Sequence, residues 1–311
     1  MSNEQRTGNR ELANKVGAGT GNRERLSHSL FLCYLLFVIC YLFGSCSSRP
    51  KDTGDIYDMR KDAEVQLEQG NREAEGGNFT AARGFVDQAN RFAILTDNSS
   101  LLIRSGISLG NVLFALGNED KAFESWNKAL EEANRAGNKE LAAVCLIHIA
   151  RGKLLSPDGK NAAQSLRDDV NREMASIKSD ELYIAFAWTV IGLAEKELGR
   201  YAPAEEAVKR ALAIHEKNLN LKLAAYDWFI IASFRSLSGN SDGALKALES
   251  AIEYDRRTEN SWGLANDWQA IGDVQKKAGN HDAARAAYSR AANIFHTMGN
   301  NEAAEKALAR N

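Results

Sequence analysis

The chain has 311 residues, 44% hydrophobic and 26% charged, which is enough for a sizeable core. Proline is scarce at 3, and Ala, Leu, Glu, Lys and Arg dominate, so composition predicts an all-helical protein. The formal net charge is −2 with no basic block, which argues against nucleic acid as a partner, because phosphate binding needs clustered Lys and Arg.

Residues 1–29 are polar and end near Arg23-Glu24-Arg25. Leu30 to Phe43 then carries no charge over fourteen residues. Spanning a bilayer takes about 20 residues, so this run suits the apolar region of a secretion signal. Gly44-Ser45 directly before Cys46 resembles a bacterial lipoprotein processing site. The resemblance implies removal of residues 1–45 as signal peptide, a lipid on the Cys46 sulfur, and an acylated (palmitate-type) new N-terminus. An uncleaved signal anchor is the alternative. Both place the remainder on a membrane of the bacterial cell envelope, facing the periplasm or exterior. Residues 46–54, with Pro50 and Gly54, form a polar tether.

From residue 55 one pattern recurs. Trp188 is followed by Ile191-Gly192, Gly199, Ala204, Val208 and Ala211. Forty residues on come Trp228, Ile231-Ala232, Gly239, Ala244, Leu248 and Ala251, and forty further come Trp268, Ile271-Gly272, Gly279, Ala284, Tyr288 and Ala291. The small residue steps back to Ala150, Gly110 and Gly70, which gives six units. The third is the least regular, with Ser156-Pro157-Asp158-Gly159 as its turn. Each unit fits a helical hairpin. The small residue admits the second helix closely, Gly ends the first helix, and the second carries one apolar stripe.

Trp188, Ile191, Gly192, Tyr201, Ala204, Val208 and Ala211 and their equivalents resemble the tetratricopeptide repeat. The ordinary repeat has about 34 residues. The surplus here falls between the second helix and the next unit, at 134–138, 215–220 and 255–260, as in the long-helix variant of kinesin light chains. The resemblance implies a right-handed superhelical solenoid of about six hairpins over residues 55–298. Residues 299–311 suit the polar capping helix that a solenoid end needs.

No metal-binding, phosphate-binding or nucleophile motif appears, so neither enzyme activity nor a cofactor is expected. Cys145 sits in an apolar run and suits the core, and His148 suits the core or groove. His215, His281 and His296 fall at helix ends or on exposed faces. Acids such as Glu131-Glu132 and Glu205-Glu206 follow the spacing of solvated helix faces.

In this repeat class the first helices line the concave side, and ligands lie there as peptides. Helical neighbours of the small residues give one strip per unit. The candidate partner-binding residues are Asn71, Arg104, Asn111, Phe114, Ile147, Arg151, Leu154, Phe186, Tyr226 and Phe229. The middle of the strip is apolar and aromatic, suiting an apolar segment of a partner protein. The competing reading is that hairpins simply cover these side chains. Asn71, Asn111 and Arg151 resemble part of the carboxylate clamp of chaperone-binding repeats, but Leu67 and Ile147 replace its lysines. The tryptophans lie four before the small residue, a packing position between hairpins. The functional expectation is an envelope scaffold for protein partners. The alternative is an accessory lipoprotein that handles a small hydrophobic ligand beside a periplasmic solute-binding protein or transporter.

Overall fold

The computed structural model describes residues 55–310, which form thirteen α-helices and, among these residues, no strand. The signal segment, the tether and Cys46 lie outside the described residues. Six hairpins follow one another. They are α1 (Asp55–Glu75) with α2 (Phe79–Leu95), α3 (Ser99–Ala115) with α4 (Glu119–Arg135), and α5 (Lys139–Leu155) with α6 (Gly159–Met174). Then come α7 (Glu181–Glu197) with α8 (Tyr201–Lys217), α9 (Leu221–Leu237) with α10 (Ser241–Arg257), and α11 (Ser261–Lys277) with α12 (His281–Thr297). The short α13 (Asn301–Leu308) closes the stack. Among the described residues no helix is long and apolar enough to cross a membrane.

Most helices have 17 residues, so the chain is punctuated every 20 rather than every 40. Asn marks most helix starts. The side chains of Asn98, Asn138, Asn240, Asn260 and Asn300 each accept an N–H from the first turn, at 2.8–3.2 Å. Helix ends close with paired carbonyl bonds, as in Gly117 N–H to Phe114 and Asn118 N–H to Leu113. The surplus over a 34-residue repeat is therefore helix, not connecting loop: α4, α8 and α10 run on to Arg135, Lys217 and Arg257.

Within each hairpin the small residue faces a knob 16 positions later. A Cβ at Gly70 or Gly192 would stand 2.5 Å from a methyl of Val86 or Val208. At Gly110 and Gly272 it would strike the rings of Trp126 and Tyr288. Where the knob is Leu166 or Leu248, the small residue is Ala150 or Ala232. Glycine thus accompanies β-branched or large aromatic knobs, and alanine accompanies leucine.

The third unit, irregular in sequence, is the centre of the core. Almost every face of α5 is buried, against α3, α4, α6 and α7. Glu140 ties the longer 175–180 connection to the start of α5 by accepting the N–H groups of Lys178 and Ser179 at 3.0 and 2.8 Å. Those bonds, Ser179 foremost, hold its carboxyl below the usual range.

Two joints further along bury ionisable pairs. Between α8 and α9, His215 Nδ1 meets Asp227 at 2.6 Å, with Thr189 beside it. His215 lies in the last turn of α8, as expected, but is only 4% exposed, which corrects any assignment to an exposed face. Between α10 and α11, Asp255 and Asp267 are both buried, so these acids do not lie on a solvated face. Burial, then the adjacent Asp255 carboxylate, push Asp267 up to about 9. One Asp267 oxygen has no donor in reach. A proton held on Asp267 and donated to Asp255 satisfies both groups.

The first hairpin also meets the far end of the stack. Phe79 sets its edge on the Trp262 ring with centroids 5.9 Å apart, and Lys222 pairs with Glu75 at 3.3 Å.

Candidate interaction face

Successive first helices pack on one another from α1 to α7 and again from α9 to α11, whereas successive second helices do not. The odd-numbered helices therefore form the inner side. Between α7 and α9 the contact is carried by Thr189, whose hydroxyl reaches Asp227 at 3.4 Å.

The candidate side chains divide along this face. Ile147 and Leu154 are 1% and 3% exposed and belong to the core cluster around α5, so they correct the expectation of an open groove there. The reason is the close approach of α3, α5 and α7, which shuts the inner side at the third unit. Phe114 is half-buried and lies over Trp126, with centroids 5.7 Å apart. Phe186, also half-buried, stacks on His148 at 4.3 Å. His148 is itself enclosed, and burial, with a smaller contribution from Arg151, pushes it down to about 3, so it is neutral.

Beyond the closed region the face opens. Tyr226 is 42% exposed and stacks nearly parallel to Phe229, at 6.4 Å and 12°. Both sit on α9, and Phe229 is half-buried against the core cluster of α8 to α11. At the other end Arg104 makes a two-bonded ion pair with Glu64 at 2.9 Å, and Asn71 is exposed. Asn111 buries a carbonyl oxygen with no partner, and Arg151 has no ion-pair partner among the described residues. The structure thus separates the candidates into a polar stretch on α1 and α3, a packed middle, and on α9 an exposed Tyr226 stacked on half-buried Phe229.

The tryptophans occupy the joints. Arg210 lies over Trp188 at 4.5 Å, and Arg290 over Trp268 at 4.2 Å. Trp228 lacks such a cation because Ser250 takes that place. A shallow cleft of about 280 Å³ borders Trp188 on the outer side, between α6 and α8. Arg167 pairs with one Glu195 oxygen there at 2.8 Å, and the other Glu195 oxygen is buried without a hydrogen-bond partner. Cys145 is buried, and burial pushes its thiol up to about 12, in keeping with a core residue. Among the described residues there is no cluster of metal-ligating side chains.

A sequence model of the tetratricopeptide repeat matches residues 187–218 and 268–294, in the fourth and sixth hairpins. Those two hairpins carry the tetratricopeptide repeat, and the other four share its hairpin fold. No curated protein matches the chain. A Rap protein complexed with Competence and Sporulation Factor is similar in structure, with a TM-score of 0.57 at 16% identity over 80% of this chain and 73% of that one. BtubC from P. vanneervenii gives 0.51 at 18% identity over 76% and 92%. PilW, a type IV pilus biogenesis factor, gives 0.47 at 17% over 79% and 98%. At these identities the likeness is one of fold. Tetratricopeptide repeats of this kind are protein-interaction scaffolds.

Proposed function

We propose that the repeats hold a partner protein on their inner face, with exposed Tyr226, stacked on Phe229, as the anchor. The observation that carries this reading is the exposed ring of Tyr226 stacked on half-buried Phe229 on the inner helix α9. Aromatic rings bring large apolar area at little entropic cost, which suits them to anchor a bound segment. The partner supplies an apolar stretch for α9, and polar groups for Asn71, Asn111 and Arg151. The similar Rap protein is complexed with Competence and Sporulation Factor, which supports a partner of this kind.

The sequence of residues 1–54 supports a further part of the proposal. A lipid on Cys46 holds the scaffold on a membrane of the bacterial cell envelope, with the repeats outside the cytoplasm. The scaffold acts by binding, without chemistry of its own.

The test is a pulldown from envelope extracts with Tyr226→Asp and Phe229→Asp, each checked by circular dichroism. Loss of the parent's partners from a folded variant supports the reading. Retention of those partners, or collapse of the helical signal, overturns it. Copurification of a lipid or other hydrophobic small molecule with the parent alone transfers the face to the ligand-handling alternative.

A further inference from the structure

The connection between the two helices of a hairpin recurs with a glycine at 77, 117, 199, 239 and 279. Four of these, Gly117, Gly199, Gly239 and Gly279, face open space. Gly77 does not: the Trp262 ring lies so close that no Cβ fits there. The same turn places Phe79 edge-on to Trp262 and Glu75 against Lys222, 147 residues away. Trp262 also packs on Phe295 at 5.4 Å, so three rings in series run from the first hairpin to the last.

Nothing in the repeat requires this. The equivalents of Trp262 are Arg60, Ser100, Glu140, Leu182 and Lys222. The tryptophan is particular to the sixth unit, and Lys222, its equivalent in the fifth, meets the same hairpin. The contact consists of side chains. No backbone hydrogen bond crosses it, and no helix of the first hairpin packs along α9 or α11. A contact of one ring edge and one half-exposed ion pair is weak enough to open and close while the hairpins stay folded.

We propose that Glu75, Gly77 and Phe79 form a latch with Lys222 and Trp262, which fastens the first hairpin across the starts of α9 and α11 and opens as a unit. Closed, it fixes how far α1 and α3 stand from α9, and so the span between the polar stretch and the aromatic pair. The latch itself is independent of what the inner face holds. Only its effect on partner access rests on the proposed function.

Hydrogen exchange with mass spectrometry on the full chain tests the latch without any partner. The open turns at Gly117 and Gly239 serve as internal controls. In the parent, the amides of residues 75–80 exchange more slowly than those of the control turns. Trp262→Ala speeds exchange at 75–80 by about five-fold or more, with the control turns unchanged. Because Trp262 also supports Phe295, a second variant isolates the ion pair. Glu75→Lys speeds exchange at 75–80 and at the start of α9, and the swap Glu75→Lys with Lys222→Glu restores it. Equal exchange at all the turns in the parent, no response at 75–80 to Trp262→Ala, or failure of the swap to restore protection each overturns the proposal.

Discussion

Replacing Asp267 with Asn stabilises the protein at neutral pH, although it alters a fully buried polar side chain. Asp267 is 2% exposed and shares its enclosure with Asp255. An unfolded aspartate ionises near 4, whereas burial and Asp255 push Asp267 up to about 9 in the fold. Between those values the folded chain binds a proton that the unfolded chain has lost. Its stability therefore falls as pH rises through that window, and is fully present only below it. The slope for one proton is about 1.4 kcal/mol per pH unit, so three units from pH 4 to pH 7 amount to about 4 kcal/mol. An asparagine amide donates to the Asp255 carboxylate without binding a proton. The variant therefore gains up to about 4 kcal/mol over the parent at pH 7, and the gain shrinks toward pH 4. Urea unfolding at pH 5, 7 and 8.5 measures this, followed by tryptophan fluorescence and by circular dichroism together, because a solenoid can unfold in parts. A variant no more stable than the parent at pH 7, or a gap that fails to widen from pH 5 to 8.5, refutes the shared-proton account.

Four other outcomes follow from the packing. Gly192→Ala drives a Cβ against Val208 and the Ala204 carbonyl and costs about 1–3 kcal/mol in urea unfolding. Leu219 is exposed and left-handed at φ 55, so Leu219→Gly relieves strain and gains about 1 kcal/mol, read as a higher melting temperature. Asp227→Ala leaves buried His215 without its partner and costs about 2 kcal/mol or more, whereas a conservative Asp227→Asn costs less. Ile147→Asp collapses the fold as seen by circular dichroism, and Tyr226→Asp leaves the melting temperature within a few degrees of the parent, because one side chain is core and the other is open.

What the sequence showed, and what it hid, follows from the range of each interaction. The pairing of Gly192 with Val208 lies within one hairpin, so it repeats with the period and is legible from spacing alone. The burial of Ile147 and Leu154 depends on how closely α3, α5 and α7 approach, and a strip read from one helix at a time places them in a groove. The buried acids left a partial signal. Asp227 and Asp267 stand in the column held by Ser105, Cys145 and Ala187 in other units. His215 and Asp255 stand in the column of Ala93 and Ala133. Val65, Glu173 and Phe295 share the same two columns, so the small buried residues there mark the interior only in part. Trp262 left no such signal, since its contact with Phe79 is set by rotation accumulated over five hairpins.

A stack of hairpins is held by nearest neighbours, so its terminal members have only one neighbour each and are ordinarily the first to fray. Here the opening hairpin has a second neighbour, through Phe79 and Glu75 on Trp262 and Lys222. The array therefore behaves as a loop fastened near its tail rather than as an open string, with α13 as the one end left to peel. Limited proteolysis should nibble first at the carboxyl side, and removing α13 should loosen the first hairpin too, because Phe295 stands behind Trp262 and packs with the residues of that last helix.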